Sequence, residues 1–295
     1  RVGLDQTEAD RLAIALGNLM SAILSDRLPN CCLVISDLAG SWAGGTAQIQ
    51  RAINNTMNEV NRGAMDITPV RMDGTELYAI LRTRLFKLLP GKERIAEVSQ
   101  AYASAYRTAI QQGAMPSALE RWAAEIPTTY PFHPGMQDLF ARFRENPGFQ
   151  QTREMLRLSR RVVDGLWKPE VQTPLLIHPH HLDLNDTETQ NVLDRINASL
   201  LNARSRDVAR GGGATAEALS KQPGMEAAAD AAKAVFLSSL AIAPNAIVGL
   251  IAEEVSAYLC APGRDVSRYG AGLLTAIEDD SWYLHRRTDG RWVYR

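Results

Sequence analysis

The sequence has little cysteine, and no signature of a secreted or membrane protein. Cys31, Cys32 and Cys260 are the only 3 cysteines, with neither a CxxC pair nor an even-numbered disulfide framework. No basic segment followed by an apolar one opens the chain. The longest stretch without charge, 234–251, contains Pro244 and predicts two core helices rather than a membrane span. We expect a cytoplasmic protein with no membrane partner.

The chain also lacks an excess of charge of either sign. Lys and Arg number 32 and Asp and Glu 33, which gives a formal net charge of -1. A strongly basic balance is typical of proteins that coat nucleic acid along their whole surface. That class is excluded, and any contact with nucleic acid must be local.

An intact phosphate-binding loop is missing as well. Nucleotide hydrolysis by a P-loop protein needs the pattern GxxxxGK[ST] between a strand and a helix. Gly91-Lys92 is the nearest match, but Glu93 follows it, the upstream glycine is absent and a helix precedes it. The run Gly211–Gly213 has no adjacent Gly-Lys pair and predicts a flexible loop. The chain alone is therefore not expected to be an ATPase.

What is present begins with an α/β pattern in residues 1–70. A broad apolar helix ends near Leu28, and CCLVIS then forms a short continuous apolar run typical of a buried strand. A helix over 48–62 and a second strand at MDITPV follow. Two strands make a poor sheet, so this part is expected to require further strands from elsewhere.

Helical patterns dominate the rest of the chain, so the predicted fold class is mainly α with minor α/β. Residues 71–168 form a helical region, and 169–223 form a linking α/β segment with the glycine-rich loop. Residues 224–295 combine helices with a terminal hairpin around Thr288-Asp289-Gly290, which suggests a winged-helix-like domain.

This order of elements resembles the second half of an AAA-like P-loop ATPase core followed by its helical lid. The run YPFHPGMQDLFARFRENPGFQQTREMLRLSRRVVDGLW is similar to the signature of a large prokaryotic family of AAA-like ATPases. That family is catalogued as a domain of unknown function and occurs beside DNA methyltransferases and helicases in phage-defence clusters. The resemblance extends to ITPVRMDGTELYAILRTRLF, AKAVFLSSL and WYLHRRTDGRW. It implies that the phosphate loop and the Mg²⁺-binding strand precede Arg1.

The resemblance also implies roles for individual residues. Ser36, at the polar end of the CCLVIS strand and next to Asp37, takes the position of the γ-phosphate sensor. Arg62 lies where AAA-like proteins place an arginine finger, which reaches the nucleotide of a neighbouring subunit. Its fixed fork of donors suits the charge on transferring phosphoryl oxygens. The alternatives are a residue that merely ends a strand and an arginine on a helix surface.

Arg153 takes the lid position from which an arginine contacts bound nucleotide, and Arg157, one helical turn on, competes for this role. The alternative for both is a solvated basic helix face. ATP and Mg²⁺ would then be cofactors of the full-length parent, with none expected for this chain alone. The implied partners are the upstream part of the same protein, a second copy, DNA and other defence-system proteins.

Two further sets of residues suggest other chemistry. His178, His180 and His181 are close enough in sequence to share a metal with Asp183, although Pro179 between them favours a structural role. Near the terminal hairpin, basic residues alternate with acidic Glu278, Asp279 and Asp280, so DNA contact remains open there. The basic residues are Arg264, Arg268, His285, Arg286, Arg287, Arg291 and Arg295. The second functional hypothesis is therefore a nucleotide-independent adaptor that binds protein or DNA through the helical and winged-helix regions.

Overall fold

The chain divides into two compact units, Arg1–Pro69 and Val70–Arg295. The computed structural model describes residues 11, 14, 15, 18 and 22 of the first unit, all helical, and residues 75–143, 146, 151–168, 171, 173–242 and 246–295 of the second. The two predicted strands, with Ser36 and Arg62, lie outside the described residues. The division of residues 71–295 into three domains stays a prediction.

The second unit is mainly helical, as predicted. Its helices are α1 Thr75–Leu85, α2 Lys92–Gln111, α3 Trp122–Thr129, α4 Gly135–Phe143, α5 Gln151–Leu166, α6 Thr187–Ile196, α7 Thr215–Leu219, α8 Ala228–Ser239, α9 Ala252–Leu259 and α10 Ala271–Asp280. Shorter 3-10 turns occur at Ser117–Arg121, Pro179–His181 and Ala198–Leu200, and a π-helical turn at Arg204–Val208 follows the single turn Leu201–Ala203.

Helix α8 lies at the centre of the core. It contacts α4, α7, α9, α10, the turn at Pro179–His181 and the terminal strand. Four of its five alanines, Ala228, Ala231, Ala232 and Ala234, are fully buried. Small side chains on nearly every face allow several neighbours to approach one helix closely.

The chain closes with the predicted hairpin, which is confirmed. Strand β1, Leu284–Arg286, pairs antiparallel with β2, Trp292–Tyr294, in the register Leu284 with Tyr294. Gly290 has φ +82° in the connecting turn, a conformation that glycine adopts without strain. Leu250 forms an antiparallel bridge to Trp292, so an extended segment between α8 and α9 also pairs with β2.

The stretch without charge at 234–251 differs from the prediction of two helices. Helix α8 ends at Ser239 and the next helix begins at Ala252, so the residues described between them are not helical. Gly249 has φ +81°, and a Cβ there would lie 2.3 Å from the Trp292 carbonyl oxygen. Pairing with the terminal strand therefore replaces helix in this segment. Among the described residues, no helix is both long and apolar enough to cross a membrane.

Candidate functional site

Helix α5 presents its arginines to solvent because its other face is apolar. Met155, Leu158 and Val162 are 1%, 0% and 1% exposed and pack into the core. Contacts with α1 and α6 hold this face. Arg153 and Arg157 are exposed, at positions four residues apart that share one side of a helix. The helix predicted here is confirmed, and its polar side is basic.

The two arginines differ in what they contact. Arg157 Nη1 lies 3.4 Å from Glu154 Oε1, and Arg195 Nη1 lies 3.9 Å from the same oxygen. Glu154 is only 3% exposed, so it binds these guanidinium groups at the edge of the core. Within the described part of the chain, Arg153 has no hydrogen bond or ion pair. Of the two candidates, Arg153 is therefore the one available to an anionic ligand.

A bidentate ion pair fixes the orientation of α5. Arg161 donates from Nε to Asp186 Oδ2 at 3.0 Å and from Nη2 to Asp186 Oδ1. Asp186 also caps α6, because its Oδ2 accepts from the Thr189 backbone N–H at 2.8 Å. Hydrogen bonding to Arg161 lowers the pKa of the Asp186 carboxyl. One carboxylate thus joins the two helices and holds the outward face of α5 in place.

The glycine-rich loop is occupied by a carboxylate of the chain itself. The backbone N–H groups of Arg210, Gly212 and Ala214 donate to Glu217 Oε2 at 2.9, 2.8 and 3.0 Å. Asn185 Oδ1 accepts from the Gly211 N–H at 2.6 Å. A bound phosphate would need these same N–H donors, and Glu217 already occupies them. This loop therefore does not provide a phosphate cradle. The expected flexible loop is in fact held by side-chain hydrogen bonds.

A histidine cluster, which we define as His133, His178, His180 and His181, occupies the interior. Two extended segments bring it together: Phe132 and Ile177 form a parallel bridge, and the His133 N–H donates to the Ile177 carbonyl at 2.8 Å. This pairing stacks the His133 and His178 rings with centroids 4.2 Å apart. The His180 and His181 centroids are 4.4 Å apart.

Hydrogen bonds assign the tautomers of two rings in the cluster. His178 Nδ1 faces the Tyr258 carbonyl at 2.9 Å and must donate to it, so Nε2 accepts from the Tyr102 hydroxyl at 2.8 Å. His133 Nδ1 accepts from the Gly135 N–H at 3.0 Å, so Nε2 donates to the Tyr106 hydroxyl at 2.7 Å. Both rings are neutral in this arrangement, because each has one donating and one accepting nitrogen.

Burial keeps the cluster uncharged. It lowers the pKa of His133 to about 3 and of His181 to about 4. Burial, with repulsion from neighbouring rings and cations, also lowers the pKa values of His178 and His180. His180 lies beside the ion pair between Arg264 and Asp230, whose atoms are 2.8 Å apart. The cluster is thus a set of neutral rings surrounded by aromatic residues.

The hypothesis of a metal site formed by His178, His180, His181 and Asp183 does not match this geometry. Both nitrogens of His178 are engaged with Tyr102 and Tyr258. Asp183 is exposed, and its Oδ1 accepts from the Asn185 N–H at 2.9 Å. Among the described residues, no group of three or more His, Cys, Asp or Glu side chains is arranged to hold a metal ion.

The arginines near the terminal hairpin are mostly engaged within the chain. Arg291 Nη1 donates to Glu254 Oε2 at 2.6 Å, and Arg264 Nη2 donates to Asp230 Oδ2 at 2.8 Å. The Arg286 guanidinium lies 4.7 Å from the centroid of Trp292, and Arg287 pairs with Asp289 at 3.6 Å. These contacts leave few of the predicted basic residues available to a DNA backbone.

Sequence patterns located α5 and grouped His178, His180 and His181, but they did not join His133 to them. His133 and His178 are separated by 45 positions, and each flanks a proline, which indicates a turn rather than a shared site. The signal that could have joined His133 to the other three was the number of histidines. The chain has 5 histidines, and 4 of them lie in this cluster, with His285 as the exception.

A family model described as the DUF499 second domain matches residues 73–246. The matched range is more than half of the chain and contains Arg153, Arg157 and the histidine cluster. No curated protein and no solved structure matches the chain.

Proposed function

The chain belongs to the DUF499 second-domain family, and on that premise we propose that it is the lid and winged-helix part of an AAA-like ATPase of phage defence. In this proposal the protein is cytoplasmic. ATP and Mg²⁺ are bound with a phosphate loop that residues 1–295 do not contain. The sensor Ser36 and the arginine finger Arg62 belong to the core, and Arg153 contacts the nucleotide from the lid.

The observation that carries the proposal is Arg153. It projects from an amphipathic helix whose buried side and bidentate link to Asp186 fix its direction. An arginine on a fixed helix can bind phosphoryl oxygens without the loss of freedom that a mobile loop would impose. Arg157 instead holds Glu154, so we assign it to support the helix rather than to contact the nucleotide.

The winged-helix part is supported by the order of pairing. Helix α8, the extended residue Leu250, α9, α10, β1 and β2 follow one another, and Leu250 pairs with the last strand. A winged helix has this order, with its first short strand beside its last. In this proposal helix α10 is the recognition helix, but its exposed residues include Thr275, Asp279 and Asp280 and no cation. That surface favours contact with protein over contact with DNA.

Turnover of ATP by the assembled protein, with the phosphate-loop segment present, tests the nucleotide proposal. We expect Arg153→Ala to lower kcat/KM roughly 10-fold or more, because a donor to phosphoryl oxygens is lost. Arg107→Ala is the matched control, since Arg107 is exposed on α2 and donates only to the Ala103 carbonyl of its own helix at 3.2 Å. Unchanged turnover in Arg153→Ala would remove the assigned role.

The two core residues need their own readouts. Arg62→Ala should abolish turnover in a homo-oligomer of the variant and regain part of it when wild-type subunits supply the arginine in trans. Ser36→Ala should lower kcat with little change in nucleotide affinity. Turnover at the wild-type level in either variant would contradict that residue's role.

The adaptor remains the second candidate, and one observation favours its protein-binding form. Trp282 is 66% exposed next to the hairpin, and Asp207 Oδ2 holds the backbone N–H groups of Trp282 and Tyr283 at 3.0 and 2.7 Å. A large, rigid aromatic residue at the surface is typical of a protein interface. Binding of a neighbouring defence protein that weakens in Trp282→Ala, but is the same with and without ATP, would support the adaptor.

A further inference from the structure

Trp167 is an exposed aromatic residue in a fixed position at the end of α5. Its backbone N–H donates to the Val163 carbonyl at 3.0 Å, so the helical hydrogen bonding continues one residue past Leu166. The side chain is 72% exposed. The Phe86 ring packs beside it, with centroids 6.1 Å apart and an interplanar angle of 42°. A large apolar surface is thus held in solvent with its direction set by the helix and by Phe86.

The charge around Trp167 is predominantly positive. Arg160 precedes it by seven residues, which places the two on one side of the helix about 10 Å apart. The Arg160 side chain is 74% exposed. Lys168 follows Trp167, Lys87 follows Phe86, and both lysines are exposed. A partner for this surface should therefore be anionic and should also offer a flat apolar face.

The acidic residue on this part of α5 does not cancel that charge. Asp164 Oδ2 lies 3.8 Å from Arg160 Nε and 3.6 Å from Arg161 Nη1, so it is shared between two arginines. Arg161 is also paired with Asp186. Glu188 also acts on Arg161. Counting these groups with Lys168 and Lys87, four cations face three carboxylates, an excess of one positive charge, and Arg160, Lys168 and Lys87 carry it beside Trp167.

We propose that this surface binds single-stranded nucleic acid, with Trp167 stacked on an unpaired base and Arg160 and Lys168 near the flanking phosphates. Every base offers a π-face to an aromatic ring, and every nucleotide adds an anionic phosphate, so the strand matches both properties of the surface. A duplex buries the faces of its bases and lacks this match. A protein partner would have to pair an apolar pocket with an acidic rim.

Exposure alone does not make a tryptophan ring available for stacking, as Trp282 shows. Trp282 is also exposed, but the Arg206 guanidinium lies 3.9 Å from its ring centroid and covers one of its faces. Among the described residues, no such cation lies over Trp167. The two tryptophans therefore form a matched pair, one with its ring covered by a cation and one without.

This inference is independent of the proposed nucleotide site. Arg153 lies 14 residues before Trp167, about 21 Å along the helix axis. ATP turnover and strand binding can therefore be lost separately. Loss of turnover in Arg153→Ala with strand binding retained would support both proposals together.

The test is fluorescence anisotropy of a labelled single strand of about 12 nucleotides, titrated with the full chain at roughly 50 mM salt. We expect Trp167→Ala to weaken binding about 10-fold and Trp167→Leu to do the same, because leucine has no π-face. Trp167→Phe should retain most of the affinity. Trp282→Ala, the matched control, should bind within about two-fold of the wild type.

Charge variants and competitors complete the test. The double variant Arg160→Ala and Lys168→Ala should reduce the slope of log K against log salt by about 1.4, because each phosphate contact on a single strand contributes about 0.7. Duplex of the same length should compete more weakly than the single strand. Thermal unfolding should be the same in Trp167→Ala and the wild type, since the side chain is exposed, so that a loss of binding is not a loss of fold.

Four results would overturn the proposal: no binding of the single strand at low salt, wild-type affinity in Trp167→Leu, equal loss in Trp167→Ala and Trp282→Ala, or equal competition by duplex. Binding of vesicles rich in anionic lipid, with no binding of the strand, would instead identify a lipid surface as the partner and also overturn it.

Discussion

The histidine cluster and the outward face of α5 are two groups of polar side chains in the second unit that differ in whether their partners are internal. In the cluster, His178 uses both ring nitrogens within the chain. On α5, Arg153 has no partner among the described residues, and Trp167 is mostly in solvent. Polar groups satisfied internally specify the fold, whereas cations without partners and exposed aromatic faces are available to ligands.

The terminal hairpin resembles the histidine cluster, because its arginines are engaged by partners within the chain. Arg291 is held by Glu254, and its Nη1 also donates to the Gly249 carbonyl at 3.1 Å. Arg142 Nη1 donates to the same carbonyl at 2.8 Å. Arg291 thus joins the hairpin to the segment before α9, and Arg142 joins α4 to the same segment. A basic residue near a hairpin is therefore not evidence for nucleic-acid binding until its partners are known.

The largest expected effect comes from acid, which acts on the cluster and not on α5. The cluster rings have pKa values below the usual 6.5 in the folded chain, about 3 for His133 and about 4 for His181. Between pH 6.5 and those values only the unfolded chain binds the protons, so the free energy of unfolding falls as pH falls. Each ring should contribute on the order of 1.4 kcal/mol per pH unit. Urea unfolding at several pH values measures this slope.

Two variants make the pH experiment specific. The backbone N–H of His178 donates to His181 Nδ1 at 3.0 Å in the wild type. His181→Asn keeps an acceptor for this N–H and removes one titrating ring. The slope of the free energy of unfolding against pH should therefore fall by about the contribution of one ring. His285→Gln replaces a histidine outside the cluster and is the control for the substitution itself. If the free energy of unfolding were the same at pH 7 and pH 5, the rings would not be buried as described.

The second prediction compares a glycine in each region. A Cβ at Gly135 would lie 2.6 Å from Tyr258 Cε1 and 3.0 Å from His133 Nδ1, so Gly135→Val should cost about 3 kcal/mol through overpacking of the cluster. At Gly165 in α5 a Cβ would meet no atom within 4 Å. Gly165→Ala should therefore stabilise the chain by about 0.5 to 1 kcal/mol through helix propensity. Equal effects in the two variants, measured by chemical denaturation, would contradict the comparison.

Sequence patterns predicted what depends on local periodicity and turn chemistry. The spacing of apolar residues in α5 places Arg153 on its exposed side. The dipeptide Asp289-Gly290 locates the turn of the hairpin, and Gly290 has the positive φ that this turn requires. Both features are decided within a few residues, so no knowledge of distant parts of the chain was needed.

Features that depend on pairing between distant segments could not be predicted in this way. The stacking of His133 on His178 requires the bridge between Phe132 and Ile177. The extended conformation at Leu250 requires a partner strand more than 40 positions away, at Trp292. The prediction of two helices over 234–251 was wrong for the described residues between α8 and α9, because pairing with the terminal strand overrides helix propensity there. The engagement of Arg291 by Glu254 belongs to the same class.

The smallest expected effect on the free energy of unfolding comes from removing an arginine. It compares Arg291, which is engaged within the chain, with Arg153, which is available to a ligand. Arg291→Ala removes hydrogen bonds of 2.6 and 3.3 Å to Glu254, which is 19% exposed at its side chain, and leaves that carboxylate partly buried. Arg142 Nη2 remains 3.9 Å from Glu254 and limits the loss, so we expect a cost of about 2 kcal/mol. Arg153→Ala should change the free energy of unfolding by less than about 0.5 kcal/mol, because Arg153 is exposed and has no partner among the described residues. Urea unfolding of both variants at neutral pH measures the difference. A cost for Arg153→Ala as large as that for Arg291→Ala would mean that Arg153 stabilises the fold, and it would remove the reason to assign this residue to a ligand.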